Sequence, residues 1–353
     1  MSYQDAMDAI NLKMPRRIPR TEYSASSYWK LIQKATGIEV DEHSPQKAKE
    51  DAAQAFEKAW GFDLIWGTDI YREVYNGFST NMGHATYQQG GTDFDNQIYC
   101  PFKDEDEVLS FEPFQVYGER DESEIIRYFN DRFHEKQKLH PDQLTMSGIY
   151  VTMVSGLLEI FGWDMLLLAL GVDPDGMGQV ANRYADWILQ YFKALAKCES
   201  PVVMVHDDIV WTSGPFVSPE WYRKYIFPNY EKLFQPLKDA GKKILYTSDG
   251  TYDVFVDDVA ACGVNGFVME PTTDMAAIAK KYGKTHAFIG NADCRILTYG
   301  TKEEIYQEVK RCVDIGRDCP GFFMAVGNHI PSNVPVENAI YYNQVFEEMR
   351  QRW

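Results

Sequence analysis

The chain has 353 residues, a formal net charge of −17 at pH 7 and a hydrophobic fraction of 45%. The length suits one α/β barrel with extensions or two ordinary domains, and the hydrophobic fraction supports a large core. A surface this acidic repels phosphate backbones and anionic lipids, so we expect no nucleic-acid partner and no membrane partner.

The cysteines and the first residues indicate the cellular compartment. The six cysteines show no CxxC or zinc-finger spacing, and the first residues lack the basic-then-apolar order of a signal peptide. No apolar run approaches the ~18 residues of a membrane span, so we expect no membrane-spanning helix. We therefore expect a cytoplasmic protein with reduced thiols.

Residues 1–60 are predicted to be helical and connecting. An amphipathic helix ends at Pro15, and two further helices are expected over residues 26–37 and 44–60. The run FDLIWGTD at 62–69 predicts the first buried strand. Residues 70–118 are rich in Gly, Tyr, Asn and Asp, and they include an insertion at 84–102 that is compatible with paired strands.

Strand–helix units repeat through the rest of the chain. A strand, a glycine-containing loop and a helix start are predicted over 143–163, and a helix over 175–197. Five short apolar runs then each end in polar residues, at 201–208, 242–250, 265–271, 286–293 and 321–331. Such runs are typical of buried parallel strands in βα units. We predict one (β/α)8 TIM-barrel domain over 1–353, with a helical N-terminal extension at 1–55 and the barrel at 56–350.

Polar residues follow these predicted strands where each strand ends. The C-terminal ends of parallel barrel strands meet on one face, so these side chains are expected to form one site. They are Asp69, His206, Asp207, Asp208, Asp249, Glu270, Asn291, Asp293, Asn328 and His329.

Each of these residues also has a structural interpretation. Side chains alternate along a strand, so at most two of His206, Asp207 and Asp208 face the barrel mouth. They are either metal ligands or a proton-transfer pair, or else they cap a loop and a helix. Asp249 equally suits an Asx turn, and Asp293 is best explained as a helix cap.

Common catalytic motifs are absent from the sequence. It contains no GxxxxGK[ST] loop, no GxGxxG after a strand, no GxSxG and no HExxH. Asp293, Glu308 and His329 have a spacing that resembles a metal motif, but Glu308 falls inside a predicted helix below the barrel mouth. We therefore give that motif little weight.

Several segments together resemble the uroporphyrinogen decarboxylase superfamily. They are GTDIY at 67–71, the segment DDIVWTSGPFVSPEWYRKYIFPNYEKL at 207–233, TSDG at 247–250, and the C-terminal stretches 290–316 and 321–342. The resemblance extends over roughly residues 55–345 and implies a distorted (β/α)8 barrel with its active site at the C-terminal face. This agrees with the fold predicted from the strand pattern.

The decarboxylase branch of this superfamily is matched incompletely. Asp69 matches the essential aspartate of the decarboxylases, but their arginine-rich N-terminal motif is replaced by RRIPRTEYSASSYW. The family tyrosine falls near Gly156, and the C-terminal histidine aligns with Asn328. An acidic chain without an arginine clamp is a poor receptor for an octacarboxylate, so we do not expect decarboxylation of uroporphyrinogen itself.

The second branch contains corrinoid-dependent methyltransferases. The positions at which its coenzyme M enzymes hold zinc with His and Cys align with Thr247, Asp249 and Asn328. The remaining resemblance is to methyltransferases that demethylate methoxylated aromatics or methylamines. It implies a methyl donor, cobalamin carried by a partner corrinoid protein, and an acid or Zn²⁺ that activates the leaving oxygen.

We therefore predict a methyltransferase that moves a methyl group from a small O-methylated, methoxy-aromatic compound to a corrinoid protein. The alternatives are a cofactor-free decarboxylase of a smaller acid or tetrapyrrole, with Asp69 as the acid, and a non-enzymatic tetrapyrrole or cobalamin carrier. The predicted catalytic residues are Asp69, His206, Asp207, Asp208 and Asp249. The predicted substrate-binding residues are Tyr71, Trp211, Phe216, Tyr246, Asn291 and Asn328. Glu270 and His329 are the predicted metal ligands, together with Asp249 or His206.

Overall fold

A computed structural model describes residues 2–81 and 99–353, together with the backbone of two short strands between them. Its strands are β1 (Leu64–Ile65), β2 (Tyr87–Gln88), β3 (Gly91–Thr92), β4 (Leu144–Thr145), β5 (Ser147–Ile149), β6 (Val202–His206), β7 (Lys243–Ser248), β8 (Gly266–Met269), β9 (Ala287–Ile289) and β10 (Phe322–Phe323). The short pair β2–β3 is antiparallel and lies in the insertion predicted at 84–102. The rest of that insertion up to residue 98 lies outside the described residues.

The helices alternate with these strands along most of the chain. They are α1 (Ser2–Ile10), α2 (Trp29–Thr36), α3 (Gln46–Ala59), α4 (Glu105–Leu109), α5 (Pro113–Tyr117), α6 (Glu122–Leu139), α7 (Val154–Val172), α8 (Pro174–Lys197), α9 (Pro219–Tyr225), α10 (Phe227–Asp239), α11 (Val256–Ala261), α12 (Met275–Tyr282), α13 (Cys294–Tyr299), α14 (Lys302–Gly316) and α15 (Val336–Met349).

Parallel strands form the sheet that was predicted from the apolar runs. Six of them are hydrogen-bonded in the order β10-β9-β8-β7-β6-β5, and β1 pairs with β4 directly before β5. A parallel bridge between Ile70 and Ile149 continues that pairing. The expected parallel α/β architecture is confirmed.

A short segment near the start of the chain closes the sheet into a ring. Arg20 forms a parallel bridge with Met324 beyond β10, and its carbonyl accepts hydrogen bonds from the backbone N–H groups of Asp63 and Leu64 beside β1. Counting β4 and β5 as one interrupted strand, eight strand positions surround the barrel. The segment 19–21 that supplies one of them lies within the predicted N-terminal extension.

Two apolar clusters separate the inside of the barrel from the outer layer. The inner cluster includes Leu64, Leu144, Met204, Leu245 and Val268, and residues of α1 join it. The outer cluster holds the opposite face of the same strands against the surrounding helices. Because both strand faces are buried, the alternation of side chains decides which polar residues face the barrel mouth.

Helix α7 corrects one expectation from the sequence. By length and composition it could cross a membrane, but 67% of its apolar window is buried inside the protein. Gly162 interrupts the helix with a φ of 72°. Its burial is that of a core helix packed on the barrel.

Candidate active site

The inner face of the barrel collects part of the predicted polar set at its C-terminal end. Leu245 lies in the inner cluster, so the alternation along β7 points Thr247 and Asp249 inward as well. The same argument from Met204 directs His206 and Asp208 inward, and from Val268 it directs Glu270 inward. Asp69, Asp207 and Tyr246 occupy the opposite phase and face the helices.

His206, Asp208 and Asp249 form a compact group of metal-ligand type. One donor atom from each residue lies within 4.8 Å of the other two. His206 Nε2 lies 3.3 Å from Asp208 Oδ1, and the backbone N–H of Asp249 donates to the same carboxylate oxygen at 2.8 Å. This group is the centre of the candidate active site.

The surroundings of His206 fix its ring. Its Nδ1 lies 3.3 Å from the carbonyl oxygen of Tyr150, which only accepts hydrogen bonds. The proton is therefore placed on Nδ1, and the lone pair of Nε2 points toward the carboxylates. The Tyr150 ring stacks on the imidazole at 4.0 Å with an interplanar angle of 9°, and Tyr71 stacks on Tyr150 at 5.2 Å.

Glu270 and His329, the predicted metal ligands, lie around Asn328. The amide of Asn328 donates to Glu270 Oε1 at 2.6 Å, and its carbonyl oxygen contacts His329 Nδ1. Glu270 Oε2 accepts from the backbone N–H of Gly250 at 2.7 Å. Both carboxylate oxygens of Glu270 thus already accept hydrogen bonds. The residue that lies together with His206 and Asp249 is Asp208, and not Glu270 or His329. Burial lowers the pKa of His329, which favours its neutral form.

Asp207 does not face the barrel mouth. It is fully buried, and its carboxylate accepts hydrogen bonds from the backbone N–H groups of Met153, Val154 and Ser155 at the start of α7. The hydroxyl of Tyr230 donates to it as well. The carboxylate thus caps a helix N-terminus, where the helix dipole favours a negative charge. Its prediction as a catalytic residue is therefore replaced by this capping position.

Asp69 also points away from the mouth, toward α6. Its carboxylate is buried and lies 2.7 Å from Lys136 Nζ, with Arg132 Nε at 4.0 Å. Asp69 therefore forms an ion pair with a residue of α6. It does not lie among the residues at the barrel mouth, where it was predicted.

Replacing Lys136 with methionine is expected to lower the free energy of unfolding by about 2 kcal/mol, because a buried carboxylate loses its main cation. Chemical denaturation measures this change. Lys138→Met, on the same helix but exposed, is the matched control and should have no effect. The double change Asp69→Asn with Lys136→Met should recover most of the loss. An unchanged stability for Lys136→Met alone would contradict the ion pair's importance.

The predicted aromatic residues fall into three places. Tyr71 joins the ring stack beside His206, whereas Trp211 and Phe216 pack with Trp163 on the loop that follows β6, with ring centroids 5.1–5.7 Å apart. Tyr246 is fully buried on the outer face, where its hydroxyl donates to the carbonyl of Asp207. Tyr246 is therefore not part of a clamp for a ligand ring in the barrel.

Asn291 is fixed by the protein's own groups. Its amide nitrogen donates to the carbonyls of Glu270 and Thr273, and its side-chain oxygen accepts from Arg311. It is 1% exposed. The predicted role in substrate binding is replaced by a structural link between the loops after β8 and β9.

Two inward-facing residues, Tyr150 and Tyr23, were not identified from the sequence, and Thr247 was noted there only for its alignment with a zinc-ligand position. Tyr150 stacks on His206, Tyr23 reaches the inner cluster and contacts the Trp66 ring edge-on at 4.9 Å, and Thr247 precedes Asp249 on the inner face. The alternation of side chains along a strand could have shown that Tyr150 and Thr247 lie on the same face as His206 and Asp249.

Two of the three arginines at 16–20, Arg17 and Arg20, have partners within the fold. Arg20 is fully buried, donates to Glu22 at 3.0 Å, and lies 4.6 Å from the centroid of the Trp60 ring. Arg17 pairs with Asp63 at 2.6 Å. These two guanidinium groups are occupied by structural partners.

Comparisons with known proteins agree with this architecture. The family model described as "Uroporphyrinogen decarboxylase (URO-D)" matches residues 162–349, which is more than half of the chain. A curated uroporphyrinogen decarboxylase from Carboxydothermus hydrogenoformans is 27% identical over 176 residues, covering 50% of this chain and 49% of the relative. One from Aliivibrio salmonicida is 28% identical over 182 residues, covering 50% and 49%. The chain thus spans about half the length of the curated relatives that it matches.

A solved structure extends the similarity to nearly the whole chain. It is described as a methyltransferase from Methanosarcina mazei, and it aligns with a TM-score of 0.67 over 98% of both chains at 15% sequence identity. At that identity the likeness concerns the fold alone. Together with the family model, it shows that the barrel predicted from the strand pattern is the one this family uses. The chain belongs to the uroporphyrinogen decarboxylase family.

Proposed function

We propose that this protein is a methyltransferase that takes a methyl group from a small methoxy-aromatic compound and passes it to the cobalt of a corrinoid carried by a partner protein. The observation that carries the proposal is the His206–Asp208–Asp249 group next to the stacked rings of Tyr71 and Tyr150. The His206–Asp208–Asp249 group suits a metal that polarises an oxygen atom, and the stacked tyrosine rings suit a flat aromatic ring.

The donor set fits Zn²⁺. An imidazole nitrogen and two carboxylate oxygens are ligands that zinc accepts, and three protein ligands leave a position for a substrate atom. The contact of His206 Nδ1 with a backbone carbonyl is the kind of hydrogen bond that usually orients the ring of a zinc-bound histidine. When bound, zinc would act as a Lewis acid on the ether oxygen of the substrate.

The protein's own side chains would orient the substrate. The stacked rings of His206, Tyr150 and Tyr71 would form one wall of the substrate site, and Tyr71 at the outer end of the stack would offer its ring to a flat substrate. Demethylation breaks the bond between the methyl carbon and the oxygen, and the electron pair stays on the oxygen. A phenolate is a poor leaving group, so the site must stabilise this developing charge.

Two findings favour methyl transfer over decarboxylation. Asp69, the acid of the decarboxylase alternative, faces α6 and pairs with Lys136. The arginines at 17 and 20 are bound to Asp63 and Glu22. The name of the Methanosarcina mazei neighbour supports methyl transfer on this fold, whereas the names of the curated relatives support the decarboxylase alternative.

The test is to incubate the purified protein with a reduced corrinoid protein and a panel of methoxy-aromatic compounds such as guaiacol. We expect the absorption spectrum of the corrinoid to change to that of its methylated form, and the corresponding phenol to appear in equal amount. Metal analysis should find close to one zinc per chain. The control reaction omits the ether.

Two outcomes would overturn the proposal. One is the absence of methyl transfer across the whole panel with a corrinoid protein known to be active. The other is release of carbon dioxide from a carboxylic acid without any corrinoid, which would favour the decarboxylase alternative.

A further inference from the structure

The hydroxyl of Tyr23 enters the barrel and is not used by the fold. Tyr23 packs against the inner cluster, and its buried hydroxyl oxygen has no hydrogen-bond partner among residues 2–81 and 99–353. A buried hydroxyl without a partner has lost its hydration and gained nothing in return. Such a group in an enzyme barrel is a candidate for contact with a ligand.

The position of Tyr23 places this hydroxyl opposite the candidate metal ligands. The segment 19–21 and β7 are four positions apart among the eight around the barrel, so they face each other across its interior. Tyr23 follows that segment on the side of the mouth, and Asp249 follows β7. The side chain of a tyrosine is long enough to extend far across the interior of such a barrel.

Electrostatics supports this placement and defines what the hydroxyl can do. Burial first, and then the negative charges of Glu22, Asp249 and Glu270, raise the pKa of Tyr23 well above its usual value. The phenol therefore keeps its proton at neutral pH. It serves as a hydrogen-bond donor and not as an acid that loses its proton.

A second hydroxyl adjoins the same carboxylates. Thr247 is 8% exposed, lies opposite His206 in the β6–β7 register, and its hydroxyl also lacks a partner within the described part of the chain. Two hydroxyls that lack a partner among the described residues thus face the same barrel interior as His206, Asp208 and Asp249. An oxygen-bearing ligand held in this interior would find hydrogen-bond donors there.

We propose that Tyr23 is a substrate-binding residue whose hydroxyl donates a hydrogen bond to the oxygen that loses its methyl group. This inference rests on the proposed function. As the bond between the methyl carbon and the oxygen breaks, its electron pair remains on the oxygen, and the methyl group goes to the cobalt of the reduced corrinoid, which supplies the electron pair of the new bond. Tyr23 keeps its proton, and its hydrogen bond to the oxygen strengthens as negative charge develops there.

The experiment compares Tyr23→Phe with the unchanged protein on ethers whose phenols differ in acidity, from 4-nitroanisole to 4-methoxyphenol. We expect kcat to fall roughly 10- to 100-fold for the least acidic leaving phenol, since one donor to the developing oxyanion is removed. The loss should be much smaller for 4-nitroanisole. The dependence of log kcat on the pKa of the leaving phenol therefore becomes steeper, and zinc content stays the same.

Tyr222→Phe is the matched control. Tyr222 is fully buried, and its hydroxyl donates to the carbonyl of Ile209 on the helix side of the barrel. This change should lower the melting temperature and leave the dependence of log kcat on the pKa of the leaving phenol unchanged. Tyr23→Phe should leave the melting temperature the same or raise it, because no hydrogen bond within the described fold is lost.

The possible results separate the two proposals. In one result, the unchanged protein transfers methyl groups normally while Tyr23→Phe changes kcat by the same factor for every ether, or does not change it at all. That result overturns the inference and leaves the proposed function in place. Failure of the unchanged protein to demethylate any ether overturns the proposed function, and the inference with it.

Discussion

Replacing His206 with alanine is expected to remove most of the bound zinc and to slow methyl transfer by roughly 1,000-fold. The imidazole is the nitrogen donor of the three-residue group, and two carboxylates that remain without it hold zinc weakly. Metal analysis of the purified variant and the rate of corrinoid methylation measure the two effects.

His134→Ala is the matched control for this change. His134 is a surface histidine whose Nε2 lies 2.9 Å from Glu199. It should leave zinc content and rate unchanged. If His206→Ala retained both full zinc content and full rate, His206 could not belong to the metal site. If it lost activity but kept its zinc, the metal would have to be held elsewhere.

Replacing Asp207 with alanine is expected to lower the free energy of unfolding by about 4 kcal/mol, because three backbone N–H groups and the Tyr230 hydroxyl lose one shared acceptor. Asp207→Asn retains a side-chain oxygen and should lose less than half as much. Chemical denaturation near pH 5 measures both. Equal stability of the alanine variant and the unchanged protein would contradict the capping position.

The acidity of Asp207 adds a dependence on pH. Burial raises its pKa to about 6 in the folded protein, against roughly 3.9 for an aspartate in an unfolded chain. The folded state therefore binds the proton more tightly than the unfolded state. The resulting stability is fully present below about pH 4 and is lost as the pH rises through about 6, by roughly 2–3 kcal/mol in total.

Asp207→Asn isolates this contribution, since asparagine does not titrate. The difference in unfolding free energy between the unchanged protein and this variant should decrease between pH 4 and pH 7 and then remain constant. A difference that rises with pH over the same range would show that the carboxylate is stabilised in its charged form.

The barrel was predictable where its strands are apolar, and less so where they are not. The runs at 201–208, 242–250 and 265–271 became β6, β7 and β8 because short β-branched segments between turn residues have few other stable places. The segment 19–21 reads Pro-Arg-Thr and shows no such run. It holds its place through backbone hydrogen bonds to both neighbours and through Arg20 packed on Trp60, contacts between residues far apart in sequence.

The site was predictable in its location but not in the orientation of its side chains. Alternation limited His206, Asp207 and Asp208 to two that face the mouth, yet it could not decide which. Both faces of this parallel sheet are covered, so Val202 and Val203 are equally buried. The apolar residues therefore do not show which positions of the strand face the barrel interior and which face the helices. Tyr246 was assigned to the wrong face for the same reason.

The strand positions that face the mouth have a further consequence for how this barrel can change over time. The donors His206, Asp208 and Asp249 all lie within the stretch 162–349 that the family shares. Tyr23, Tyr71 and Tyr150, the tyrosines named above, lie before it. The two sets come from opposite parts of the chain and are held by different strands. If the proposed function holds, mutations among the tyrosines would alter which compound fits while His206, Asp208 and Asp249 stay intact, so that new substrates would become accessible without a change in the chemistry.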